Sequence, residues 1–414
     1  MTEPKPDSLA VADEKLLDMG KVKPPTVREP NSEAGAIKEA PTIDQTGSVA
    51  TEPEKGTGVA SLPDISPKPV PSDYVSAPDA LNRIRREMAG IFQCAAARVD
   101  AGELKLIGWG LTQPRVQKLA AEHEAKPWFF VGDIHGDFLA WHRLFERVRQ
   151  EKDFRLCFLG DLVDRGPLHL ECFAALLEAV EQHPDRILWI LGNHDEGVRY
   201  VSKPEKHFES SVEPGEFAEY LNTNHEGVDQ QQKQAWGDLF IDVCRRLPRA
   251  VLFGDGLLAT HGGVPLQDRW DTLGKMEAFH HQRSLGDFTW SRATSYPSKL
   301  GWKYDRARRA TSSAFEFGYR DLEGFCRAVE TVFPVKRVVR GHDHVENGFE
   351  TPEKYKSIPL LTINGFGFNY LTNSVADYRL KLALGVGVPG DLPRVEPVSY
   401  LPEEYTGVYP LTIK

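Results

Sequence analysis

Residues 127–136 read Pro-Trp-Phe-Phe-Val-Gly-Asp-Ile-His-Gly, a short apolar run that ends in Gly132 and then presents Asp133 and His135. The arrangement returns at 155–161 (RLCFLGD) and at 186–194 (RILWILGNH), each time as an apolar run, a glycine and a polar side chain able to bind a metal. Between these runs lie FLAWHRLFERVRQ (138–150) and HLECFAALLEAVEQH (169–183). Their apolar residues recur at helical spacing, and Trp141, Leu144, Phe145 and Val148 form a stripe expected in the core. Strands alternating with helices, with polar residues at the strand C-terminal ends, predict an α/β fold whose site lies along one sheet edge.

Working outward, AVLFGDGLLATHGG (250–263) reads as a hairpin turning at 254–256, and VKRVVRGHDH (335–344) and IPLLTIN (358–364) add further strands. Upstream, ALNRIRREMAGIFQCAAARV (80–99) has helical spacing, and LTQPRVQKLAAEHEA (111–125) reads as a second short helix. The first 73 residues contain no Phe, Tyr or Trp, hold 11 of the 29 prolines, and carry 8 basic against 13 acidic side chains. Such a segment buries too little apolar surface to offset its ordering entropy, and it is expected to be disordered. Its SPKPVPS stretch (66–72) favours extended polyproline geometry; a solvated linker is the preferred reading and a docking motif for a protein partner the second. The expected organisation is a Pro-rich acidic tail over 1–75, a catalytic domain over 76–385 and a C-terminal extension over 386–414, the last without an assigned role.

Several function classes are disfavoured. A formal charge of −10 argues against a nucleic-acid surface, which needs a basic stripe. No apolar run reaches the roughly 18 residues of a membrane span, and the acidic N-terminus lacks a signal-peptide layout. The 5 cysteines are scattered, without a CxxC pair, as expected of reduced thiols in a cytoplasm.

Five polar blocks remain, in order: Gly132-Asp133-Ile134-His135-Gly136, then Gly160-Asp161 through Asp164-Arg165-Gly166, Gly192-Asn193-His194-Asp195, His261-Gly262-Gly263, and Gly341-His342-Asp343-His344. The side chains on offer are carboxylate, carboxamide and imidazole. That mixture suits Mn²⁺, Fe or Zn²⁺ better than Ca²⁺, which takes oxygen only, or Cu(I), which takes sulfur. Taken singly, each block is what an ordinary turn or helix cap uses; five in order are not expected by chance.

The blocks resemble those of the calcineurin-like metallophosphoesterase superfamily, and within it the phosphoprotein phosphatase (PPP) family of Ser/Thr phosphatases. Ala235-Trp236-Gly237-Asp238-Leu239-Phe240, continuing through Arg246-Leu247-Pro248 to His261, and Leu361-Thr362-Ile363 with the loop reaching Asn369-Tyr370, extend the likeness over residues 77–377. The resemblance implies a β-sandwich flanked by helices, with a dinuclear metal site on loops at one sheet edge. It implies that Asp133 and His135 hold a first divalent ion, that Asp161 bridges two, and that Asn193, His261 and His342 complete the second. Manganese is the preferred metal pair, with iron or zinc as alternatives. A hydroxide shared by the metals would be the nucleophile, His194 the general acid, Asp164 its orienting carboxylate and Arg165 a phosphate clamp.

The sequence departs from that pattern in three places. Asp195 and then Glu196 follow His194, where PPP enzymes have Glu directly. His344 is an extra histidine, as in the wider superfamily, and is a candidate further ligand of the first metal. A second phosphate-clamping arginine is expected among Arg292, Arg306, Arg308 and Arg309, with Arg309 preferred; Tyr370 is a candidate substrate contact. The expected function is hydrolysis of phosphoserine or phosphothreonine in a protein or peptide. Two alternatives are a symmetrical dinucleoside-polyphosphate hydrolase and a non-catalytic binding module on the same fold. Glu205, Glu209, Glu213, Glu216, Glu219 and Glu226 predict an acidic rim that disfavours a polyanionic nucleotide.

Overall fold

The computed structural model describes residues 74–109, 116–124, 126–203, 206–223, 228–265, 282–298, 316–332, 334–345, 347–367, 382–387, 390–398, 404 and 407–409. The tail, Arg306, Arg308, Arg309 and Tyr370 lie outside the described residues.

Two sheets carry the molecule. The first has five strands in the order Arg394–Val398, Leu382–Val386, Trp128–Val131, Arg155–Phe158, Ile187–Trp189, the last three parallel. The second has six, in the order Val116–Lys118, Ala250–Leu252, Leu257–Thr260, Arg337–Arg340, Leu360–Ile363, Phe349–Glu350. Within it, Leu257–Thr260, Arg337–Arg340 and Leu360–Ile363 run parallel.

Side-chain alternation fixes the layering. Trp128, Phe130, Cys157 and Leu188 of the first sheet share one buried cluster with Val251, Leu257, Ala259, Val339 and Leu361 of the second. Their neighbours Phe129, Val131, Leu156, Phe158, Ile187 and Trp189 face the other way, into a cluster with helix residues such as Phe92, Trp141, Leu144, Phe173 and Phe240. On the far side of the second sheet, Ala250, Leu252, Leu258 and Val338 meet Phe288, Leu322 and Phe325. Strands buried on both faces must be apolar at successive positions, which is why WFFV and RLCF show no polar alternation. The result is a β-sandwich flanked by helices, as the sequence implied.

The outer helix Ala77–Ala101 begins where Ser76, in extended backbone, accepts the Asp79 N–H, with Pro near its start, and ends at Gly102 with φ 72°. Phe92 sits 5.2 Å from the Phe173 ring and 5.1 Å from Trp236. The reading of 111–125 as a helix fails at its centre. Val116–Lys118 is a strand, pairing parallel with Ala250–Leu252, and among the described residues of this stretch only Ala121–Glu124 is helical. An edge strand of 3 residues with Gln117 and Lys118 in it carries too little period to outvote the helix formers beside it. The hairpin at 254–256 is present, with Ala250–Leu252 antiparallel to Leu257–Thr260.

No helix among the described residues is long and apolar enough to cross a membrane.

Candidate metal centre

Because the strands that carry the blocks are parallel within each sheet, their C-terminal ends fall on one edge, and each block leaves from such an end. Asp133 follows Val131, Asp161 follows Phe158, Asn193 follows Trp189, His261 follows Thr260 and His342 follows Arg340. The turns are strained. Of the six non-glycine residues with positive φ among the described residues, five are His135 (50°), Asp161 (58°), Asp164 (69°), Arg165 (69°) and His342 (69°). Side chains with a Cβ seldom adopt this region, and such outliers concentrate at functional sites. Glycine is required where the blocks touch: a Cβ on Gly192 would collide with the Asp161 backbone, and one on Gly341 with the Asp133 carboxylate.

The ligand atoms converge in linked groups, namely Asp133, His135 and His344; His135, Asp161 and His194; and Asp161, His261 and His342. Asp161 Oδ2 lies 3.6 Å from His135 Nε2 and 3.4 Å from His261 Nε2, so one carboxylate joins the two ends. Asn193 Oδ1 lies 3.0 Å from His261 Nε2 and 2.7 Å from His342 Nδ1. Asp133 Oδ2 lies 3.7 Å from His135 Nε2 and 3.9 Å from His344 Nε2. Atoms bound about 2.1 Å from a common ion are separated by about 3.0 Å at right angles and about 3.4 Å at tetrahedral angles. The Asn193–His261–Asp161 spacings match these values; those around Asp133 are slightly wider.

The unmet bonding capacity points the same way. Asp133 Oδ2, His135 Nε2 and His342 Nε2 are buried without a hydrogen-bond partner among the described residues. Nδ1 of His135 faces Val163 O at 2.8 Å and Nδ1 of His261 faces Leu159 O at 2.8 Å. Each backbone carbonyl accepts the Nδ1–H hydrogen bond and fixes the tautomer that leaves Nε2 as a lone-pair donor. Burial pushes Asp133 up to about 6, although the His261 charge pulls it down. His261 is raised to about 9, because the Asp161 and Asp133 carboxylates outweigh its burial. Burial with Asp161 close by raises Asp195 to about 7. Acidic groups crowded in a dry site are costly without a cation, and divalent ions suit this donor set.

Beside this cluster, His194 Nδ1 lies 2.7 Å from Asp164 Oδ2, and Asp164 Oδ1 accepts the Phe217 N–H at 2.8 Å. With Nδ1–H given to Asp164, Nε2 is turned toward the Arg165 guanidinium at 3.3 Å. Arg165 also reaches His344 Nδ1 at 3.2 Å. His344 is held below the usual histidine range by partial burial and by Arg165 and Arg292. All of the seven candidate ligands, with His194, Asp164 and Arg165, are therefore brought to one place. Of the four candidate arginines only Arg292 is described, and it lies against the His342 loop, 2.5 Å from Asp343 Oδ1 and 3.4 Å from His342 O.

Three groups support the site through contacts the sequence reading did not foresee. Asp343, between two histidines, is gripped by Arg292 and by Arg340, whose Nη1 lies 2.5 Å from its Oδ2. Glu196 accepts Arg249 at 2.6 Å and the Trp290 indole at 2.8 Å, tying the third block to the second sheet. Phe366 lies edge-on to His135 at 5.0 Å and to His344 at 4.9 Å. The Arg-x-x-Asp spacing of Arg340 and Asp343 was the one local signal for any of them.

The chain is similar to known phosphatases. A serine/threonine-protein phosphatase of Caenorhabditis elegans is 26% identical over 293 residues, covering 69% of this chain and 58% of that protein. The serine/threonine-protein phosphatase 4 catalytic subunit of Saccharomyces cerevisiae is 26% identical over 223 residues, covering 53% of this chain and 63% of that protein. The chain thus spans about three fifths of the length of these relatives. A solved protein serine/threonine phosphatase from Saccharomyces cerevisiae shares the fold, with a TM-score of 0.50 and 16% identity over 77% of this chain and 90% of that one. The model of the calcineurin-like phosphoesterase family matches residues 127–346, more than half of the chain and all five polar blocks, and the chain belongs to that family.

Proposed function

We propose that the protein hydrolyses phosphomonoesters, and specifically phosphoserine or phosphothreonine in protein substrates, with two divalent cations bound between Asp133, His135, Asp161, Asn193, His261 and His342. His344 is a candidate additional ligand at the first position. Two such ions, Mn²⁺ in our reading, would supply an activated water and neutralise phosphoryl charge. The chain's own groups do the rest. Arg165 offers a planar fork of donors to phosphate oxygens next to the ligand cluster. His194 holds a proton at Nε2 once protonated and passes it to the departing seryl oxygen. Asp164 keeps that ring in one tautomer and stabilises its charged form.

The observation that carries the reading is the His194–Asp164 pair, 2.7 Å apart, set beside a carboxylate shared between two ligand groups. A binding module without chemistry has no need of a buried acid–base pair. For the substrate class, Glu216 accepts the Arg165 N–H at 3.1 Å, which places a carboxylate next to the phosphate clamp. Negative charge there opposes a polyanionic dinucleotide more than a neutral or basic phosphopeptide, most strongly at low salt. The test is kcat/KM of the Mn²⁺-loaded protein on a phosphothreonine peptide, diadenosine tetraphosphate and an aryl phosphate. The peptide is expected to exceed the dinucleotide; a tenfold preference for the dinucleotide at low ionic strength would overturn the substrate class and leave the metal site standing.

A further inference from the structure

The end of the chain reaches the back of the site. Glu404 is buried and accepts the Tyr74 hydroxyl at 2.8 Å and the Ala77 N–H at 2.9 Å. Val408 and Tyr409 join the core that holds Phe138 and Leu139. There the Tyr409 hydroxyl donates to Asp137 Oδ1 at 2.6 Å. Asp137 closes the first metal-binding block and caps the helix Phe138–Val148, the same oxygen accepting the Ala140 N–H at 3.0 Å. Its other oxygen accepts the Gly367 N–H at 2.9 Å. Two residues earlier, the Gly365 N–H donates to Asp133 O at 3.0 Å. The loop 365–367 is thus pinned to both ends of the block 133–137. Phe366, between the pins, meets the ring of His135 at 83° and that of His344 at 75°.

We propose that Tyr409 is a positioning residue for the first metal position, acting through Asp137 on the loop 365–367 and, by the Phe366 ring, on His135 and His344. The inference rests on the metal-binding reading above. Its physical basis is a short hydroxyl–carboxylate hydrogen bond of 2.6 Å. With that bond in place, the Asp137 carboxylate has one orientation that serves the helix cap with Oδ1 and Gly367 with Oδ2. Without it, the carboxylate loses a 2.6 Å hydrogen bond, its hold on that orientation weakens and the Gly367 pin loosens. His344, whose side chain is 32% exposed, then loses the wall that limits its ring. The second position is braced separately, with His261 Nδ1 held against Leu159 O.

The experiment is isothermal titration of the metal-stripped full chain with Mn²⁺, for the wild type, Tyr409→Phe and Tyr74→Phe. Wild type is expected to take up two ions. Tyr409→Phe should keep one at wild-type affinity and bind the other roughly tenfold more weakly, the lower end of the effect of groups that orient metal ligands. Tyr74→Phe loosens the same seam at Glu404 without touching Asp137, and it should titrate like the wild type even if it melts earlier. If Tyr409→Phe does not fold, Asp137→Asn, whose amide can accept only one of the Ala140 and Gly367 N–H groups and sets its own N–H against the other, should give the same split. Identical titration of Tyr409→Phe and wild type, equal weakening of both ions, or the same split in Tyr74→Phe would overturn the proposal. Uptake of fewer than two ions by the wild type would instead overturn the metal reading on which it stands.

Discussion

Asp195 reaches back to the strand end that carries Asp161, accepting the Asp161 N–H at 2.9 Å through Oδ2 and the Leu162 N–H at 2.8 Å through Oδ1. The Gly192 N–H adds a third bond at 3.2 Å. One buried carboxylate therefore fixes the backbone of the residue shared by the two ligand groups, although its arm is one methylene shorter than that of the Glu expected there. Asp195→Ala leaves three buried donors without their acceptor, at about 1–3 kcal/mol each before relaxation. The expected result is a lower melting temperature together with weaker uptake of both ions. Unchanged metal affinity would show that Asp161 needs no such brace.

Metal dependence tests the ligand assignment itself. Chelation should abolish turnover and Mn²⁺ restore it. Asp161→Asn should reduce bound metal, measured by elemental analysis, and remove nearly all activity, because this side chain lies within 3.6 Å of ligand atoms at both ends. Binding to the folded state alone should also raise the melting temperature of wild type, by about 2.7 kcal/mol of stabilisation at 100 times Kd. A metal-free preparation with full activity would remove the basis of the proposal.

His194 separates chemistry from binding. His194→Asn should keep both ions and lower turnover on a phosphoserine peptide by roughly 10²–10⁴-fold, the usual contribution of a general acid. The loss should shrink on an aryl phosphate, whose departing oxygen needs little protonation. Asp164→Asn should follow the same substrate dependence, since it acts through the His194 ring at 2.7 Å. Equal losses on alkyl and aryl esters would assign the pair to binding.

How much of this was readable from the chain follows from where each interaction lies. The convergence of the candidate ligands was legible because every one sits just past an apolar run, and parallel strands deliver such positions to one edge. The sandwich was implied by resemblance and not by period, since runs like WFFV, buried on both faces, do not alternate. Val116–Lys118 was misread because its strand character comes from pairing with Ala250–Leu252, far along the chain. Tyr409 and Asp137 are 272 residues apart, and nothing local to either announces the other. Arg309 and Tyr370 fall outside the described residues, so the second clamp is still to be placed by substitution.

His169 makes acid sensitivity of the fold predictable. It opens the helix His169–Gln182, fully buried against Phe217 at 5.4 Å and Tyr220 at 6.2 Å. Burial lowers it from 6.5 to about 4, with Asp164 pulling weakly the other way. The neutral ring is therefore preferred by the folded state, while the unfolded chain takes up a proton near 6.5. Stability should be unaffected by this group above that pH and should fall as the pH drops from about 6.5 to about 4, by at most about 3 kcal/mol from His169 alone. His169→Gln removes the titration and keeps a polar side chain of similar reach. Urea unfolding of both proteins at pH 7 and at pH 5 measures the difference. The variant should lose less stability than wild type between the two values; equal losses would mean that His169 accepts its proton in place and that other buried groups set the acid limit.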